Sequence, residues 1–171
     1  MTINCPAFTN DKTVPDKHLL DKGNISPTVE WWGVPPEAKS LALILNDPDA
    51  PINGLDKPPG NWTHWLVYNI RTNTSGFKEG FGDGGLMQSL TGSITATNDF
   101  GNDKYDGPAP PPGHGVHRYQ MILLALDNLV LLKKLPTRNE FDAAIEGHVR
   151  ATAMTTGTYE KPKAAGRQVP A

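Results

Sequence analysis

At 171 residues the chain is the size of one domain, long enough to bury a core without disulfides or a metal, and its one cysteine, Cys5, cannot form an internal bridge. With 16 basic and 18 acidic residues and a net charge of −2, it lacks the basic stripe a nucleic-acid binder needs. No apolar run nears the roughly 20 residues of a bilayer span, and the N-terminus lacks the basic start and apolar core of a signal peptide. A cytoplasmic protein is the expectation; the lone thiol agrees with a reducing compartment, and the Asn-x-Ser/Thr triplets at Asn24, Asn61 and Asn73 are then coincidental.

Gly and Pro, 17 and 16 residues, punctuate short apolar runs, which suits a sheet protein with long loops and not a helical bundle. The first predicted strand is the apolar run 40–45, stopped by Asn46-Asp47-Pro48 and buried on both faces. Residues 62–70 alternate, with His64, Leu66, Tyr68 and Ile70 on one face and Trp65, Val67 and Asn69 on the other. A short β-branched stretch at 93–97 is a third strand. The strongest is 117–126, with His117, Tyr119, Met121, Leu123 and Ala125 on one face.

One helix is predicted. Thr137-Arg138-Asn139-Glu140 is a capping box after Pro136, and Phe141, Ala144, Ile145 and His148 follow at helical spacing. A Thr-rich closing strand runs over 152–159. The organisation expected is one domain over 1–160 and a mobile tail over 161–171. The fold class is mainly β: an antiparallel β-sandwich of Greek-key sheets with one helix near the C-terminus and long Pro/Gly-rich loops.

Three clusters stand at strand ends: Asp47-Pro48-Asp49-Ala50-Pro51, then Asn61-Trp62-Thr63-His64-Trp65, then the Pro-rich stretch 107–119. Taken singly, Asp-Pro-Asp is an ordinary turn, a His at a strand start is a structural residue, and a Pro-rich loop is a rigid spacer or a ligand for an aromatic groove. Together they are a way to fix polar groups around a cavity.

In order and spacing these clusters resemble the signature of the phosphatidylethanolamine-binding family. Ile25-Ser26-Pro27, Trp31-Trp32-Gly33-Val34-Pro35, Asn98-Asp99-Phe100-Gly101, Gly147-His148-Val149 and Gly157-Thr158-Tyr159 are similar to its bacterial and archaeal, Raf-kinase-inhibitor-like branch. The likeness covers about residues 4–160. It implies packed antiparallel sheets with a small pocket at one end, taking phosphate, phosphorylethanolamine, acetate or similar anions. Asp47, Asp49 and Pro51 match the first pocket motif, Trp62 and His64 the second, and Pro110, Pro111, His117 and Tyr119 the third.

Residue chemistry agrees in part. His64 and His117 can donate N–H bonds to an oxyanion and gain charge as the pH falls toward about 6.5, and Tyr119 adds a hydroxyl donor. Asp47 repels an anion, so it orients a His, keeps a His partly protonated, or meets the ammonium of a zwitterion such as phosphoethanolamine. The chain departs from the family in the long segment 52–63, in Thr63, in 89–97 and in a short tail without a closing helix.

The reading is of a small-anion or phospho-headgroup binding protein with a regulatory role, not an enzyme, and without a cofactor. The alternative is a kinase or serine-protease inhibitor docking a partner protein through Lys57-Pro58-Pro59-Gly60. A third reading, a metal-dependent enzyme using two His and an Asp as a facial triad, weighs least. Gly80-Phe81-Gly82-Asp83-Gly84-Gly85 matches Gly-x-Gly-x-x-Gly but reads as a turn. Exposed Trp31 or Trp32 would offer a homodimer face. Cys5 reads as a small buried hydrophobe, His148 as a residue near the helix end, and His18 and His114 as loop residues, His114 near the pocket mouth.

Overall fold

A computed structural model describes residues 1–8, 11–51, 60–82, 92–132 and 134–163. Among the described residues the strands are β1 (Thr2–Asn4), β2 (Val29–Trp32), β3 (Ser40–Ala50), β4 (Gly60–Ile70), β5 (Gly76–Phe77), β6 (Ile94–Thr95), β7 (Val116–Leu126) and β8 (Val149–Glu160). They form a three-stranded sheet ordered β1-β2-β5 and a five-stranded sheet ordered β6-β4-β3-β7-β8, with antiparallel pairing in both. The helix α1 (Arg138–Ala144) starts at Thr137, which accepts from the Glu140 N–H while the Glu140 carboxylate accepts from the Thr137 N–H. Such a cap stabilises a helix start by about 1 kcal/mol.

The larger sheet is covered on both sides, and the alternation of its central strands reflects this. Leu41, Leu43 and Leu45 of β3 join Tyr119, Met121, Leu123 and Ala125 of β7 in the core shared with Ile3, Val29, Trp31 and Phe77 of the smaller sheet. The residues between, Ala42 and Ile44 of β3 and Leu124 and Leu126 of β7, meet Phe141 and Ile145 at α1 on the opposite face. The long edge strand β8 is partly shielded: the Asp11 and Val14 N–H groups donate to the Thr156 and Thr158 carbonyls at 2.9 and 2.8 Å.

Several expectations need correction. Strand β3 does not stop at Leu45 but runs through Pro48 to Ala50. Its pairing with β4 is irregular between Asp47 and Ala50, where the missing proline N–H costs no ladder bond. Strict alternation fails twice in β4. Asn69 adopts a left-handed φ of 56°, the register slips there, and Ile70 crosses to the core of Trp65 and Val67. A second slip falls between Trp65 and Thr63, at His64. The strand at 93–97 is only two residues long, α1 ends before His148, and the closing strand is longer than 152–159. Trp31 is buried against Phe77, with its indole N–H on the Thr74 carbonyl at 2.7 Å, so only Trp32 offers an exposed indole. His18 is fully buried in a 3-10 turn (Asp16–His18), with Nδ1 2.7 Å from the Ile25 carbonyl. Cys5 is buried, which pushes its thiol pKa up to about 12.

Residues 52–59, 83–91 and 164–171 lie outside the described residues. With them fall the proposed docking loop up to Pro59, most of the Gly-rich turn and most of the tail. Lys161 is held, its carbonyl accepting from the Gly113 N–H and its ammonium meeting Asp21. Among the described residues no helix is long and apolar enough to cross a membrane.

Candidate functional site

At one end of the larger sheet, the last residues of β3, the first of β4 and β7 and the Pro-rich loop enclose a cavity of about 150 Å³. Asp47, Ala50, Pro51, Trp62, His64, Phe100, Ala109, Pro110, Pro111 and His117 line it. Seven of the nine residues named from sequence therefore surround one space, and Asp49 and Tyr119 lie outside its lining.

The slip at His64 explains how that side chain reaches the cavity. By alternation it belongs to the face of Leu66 and Tyr68. The bulge re-aims it, as bulges beside functional sites do, and its ring packs edge-on against Tyr119 at 5.4 Å and Phe100 at 5.3 Å. His64 Nδ1 lies 2.8 and 3.1 Å from the Asp106 and Gly107 carbonyls, which can only accept, so Nδ1 carries the proton. Burial, the dominant influence, lowers the His64 pKa below 6.5, against the opposing carbonyl contacts and the Asp47 charge. The expectation that His64 would gain charge near pH 6.5 is thereby corrected.

His117 is fixed from both sides. Its Nδ1–H donates to Asp47 Oδ2 at 2.8 Å, and its Nε2 lies 2.8 Å from His114 Nδ1. Asp47, His117 and His114 thus form a continuous hydrogen-bonded chain, and His117 has no N–H to spare for an anion while His114 stays in place. In sequence His114 is a loop residue near the pocket mouth. It is instead the outer member of this chain, held between Gly113 and Gly115, whose φ values of 73° and 97° few other residues tolerate.

Asp49 faces away from the cavity. It takes both Arg118 Nε (2.8 Å) and a terminal guanidinium nitrogen (2.7 Å), as well as the Arg118 backbone N–H, so it staples the end of β3 to the start of β7. The Arg118 hydrogen bonds hold its carboxyl below the usual range. Tyr119 lies against the two imidazoles, near parallel to His117 at 6.5 Å, with its hydroxyl buried and close to the Asp47 carboxylate. Burial and the neighbouring Asp47 charge raise its pKa.

A supporting network was not anticipated. Asp106 accepts from Asn24, Asn98 and Asn102 at 3.0, 2.9 and 2.7 Å, while Asn24 Oδ1 accepts from the Gly107 N–H. Burial alone would raise the Asp106 pKa, but the three amide donors outweigh it and leave it lowered. The network presents the Asp106 and Gly107 carbonyls to His64. Position 107 admits only glycine, because a Cβ there would sit 1.8 Å from the His18 carbonyl oxygen. Among the described residues no three His, Cys, Asp or Glu side chains gather to hold a metal ion.

A two-sheet β protein with a small cavity at the strand ends, walled by prolines and aromatics over an Asp–His pair, is the class that this fold and site define. The chain belongs to the phosphatidylethanolamine-binding protein family, whose model matches residues 4–160. It is 40% identical to a UPF0098 protein of Methanothermobacter thermautotrophicus over 94% of this chain and 99% of that one. The crystal structure of Escherichia coli YbcL, a member of the mammalian family, is similar at a TM-score of 0.83 and 27% identity, covering 93% and 97% of the two chains. The homologue CT736 of Chlamydia trachomatis is similar at 0.79 and 33%, covering 94% and 97%.

Proposed function

We propose that the cavity holds a small anion or the phosphorylated headgroup of a larger molecule, and that this binding is the protein's primary activity. The observation that supports it is the convergence of Asp47, His64 and His117, each at most 2% exposed, on one apolar-walled space. Polar groups buried so completely need partners, and a ligand supplies them where the protein does not. At about 150 Å³ the space is smaller than a drug-sized pocket, which begins near ~300 Å³, and suits a headgroup. Its apolar walls strengthen each hydrogen bond made inside. A regulatory role follows if occupancy changes how a partner protein docks.

Phosphate and phosphoethanolamine titrations followed by NMR, on wild type and His117→Ala, test this. Saturable shifts near Asp47, His64 and His117 that vanish in the variant support the reading. No shift at millimolar ligand would contradict it.

A further inference from the structure

The cavity is poorly suited to a fully ionised anion. Among the described residues no lysine or arginine lines it, and the carboxylate on its wall is Asp47, which already accepts from the Asp49 N–H and His117 Nδ1–H. His64 Nδ1 is committed as a donor to two carbonyls. The neutral ring therefore carries a lone pair at Nε2, which has no partner among the described residues. Burial keeps the ring neutral at physiological pH. Among the described residues, one lining side chain carries a donor without a partner: Trp62, whose indole N–H is buried. Among the described residues the other ionisable groups lining this space are Asp47 from β3 and His117 from β7; Tyr119, outside the lining, packs against both imidazoles, His114 bonds His117 from the preceding loop, and Asp49 and Arg118 occupy each other away from it.

We propose, resting on the pocket reading above, that the site selects the protonated acid form of its ligand: a phosphoryl monoanion whose O–H donates to His64 Nε2 while another of its oxygens accepts from the Trp62 indole N–H. An anion without that hydrogen sets its own lone pair against that of Nε2 and its full charge against Asp47. Leaving such an acceptor unpaired weakens binding tenfold or more, by about the usual cost of a buried unsatisfied group.

Ethyl phosphate and ethyl sulfate separate the possibilities, because below the second phosphate pKa of roughly 6 both are monoanions differing by one O–H. Calorimetry about one unit below that pKa should show ethyl phosphate binding at least about tenfold more tightly. Above it, affinity should fall about tenfold per pH unit, with close to one proton taken up per ligand in buffers of different ionisation heat. Ethyl sulfate binding within about threefold of ethyl phosphate, or an affinity flat with pH, overturns the inference and leaves the pocket reading intact. Binding of phosphoethanolamine but not ethyl phosphate also overturns it, since the ammonium would then be the donor. Binding of none of the three overturns both.

Discussion

Strand β7 has a carboxylate–imidazole pair at each end. At the pocket end His117 Nδ1 meets Asp47 Oδ2 at 2.8 Å, with side chains 2% and 3% exposed. Just past the far end His148 Nδ1 meets Asp127 Oδ1 at 2.7 Å, with side chains 44% and 25% exposed. The distances barely differ, but the surroundings do. Asp127 is in contact with water and also pairs with Arg150, so its imidazole is one partner among several. Asp47 and His117 sit beneath prolines and aromatics, shielded from water, where the bond between them is joined only by the Asp49 N–H on one side and His114 on the other among the described residues. Burial, more than bond length, marks which pair can serve a ligand.

The largest effect should come from breaking the buried pair. Asp47→Ala leaves the buried His117 Nδ1–H without its acceptor and should cost about 1–3 kcal/mol in urea unfolding. Asp127→Ala should cost far less, and equal losses would dissolve the contrast. Replacing both Asp47 and His117 by leucine should recover most of the stability while abolishing ligand binding, because an apolar pair needs no compensation.

A smaller effect comes from pH. His64 has a folded pKa below its unfolded value of 6.5, so the unfolded chain takes up the proton first. Its contribution is complete above pH 6.5 and is lost as the pH falls from there toward the folded pKa. The slope is at most about 1.4 kcal/mol per pH unit. Urea midpoints measured across this window should decline in wild type and decline less in His64→Gln; identical slopes would refute the assignment.

His114→Ala should change stability by about 0.5 kcal/mol or less, as at other exposed positions, yet shift the His117 ring ¹⁵N signals by freeing Nε2. Unmoved signals would mean the His114–His117 bond does not persist in solution. Smallest of all, His148→Ala should leave both the melting midpoint and the ligand titration unchanged within error.

Much of this was legible in the sequence. The continuous apolar run of β3, the alternation in β7 and the Thr137–Glu140 box follow from local physics, and the three ordered clusters point to the family and to seven lining positions. What escaped was whatever depends on a register slip or on distant polar partners. A period-two pattern cannot register the extra residue at His64 or Asn69, so His64 and Ile70 were assigned to the wrong face. Asn24 and Asp106 are 82 residues apart, and each looks like an ordinary loop residue until the fold joins them. Asp49 reads as a pocket carboxylate only until Arg118 is seen to occupy it.

The indole region of the proton–nitrogen spectrum offers the most direct measurement, since the chain has only four tryptophans. During a phosphoethanolamine titration, Trp62 in the pocket wall should shift and saturate, while exposed Trp32, with Trp31 and Trp65 in the inter-sheet core, stays still. Four stationary signals at millimolar ligand, or a shift confined to Trp32, would contradict the account.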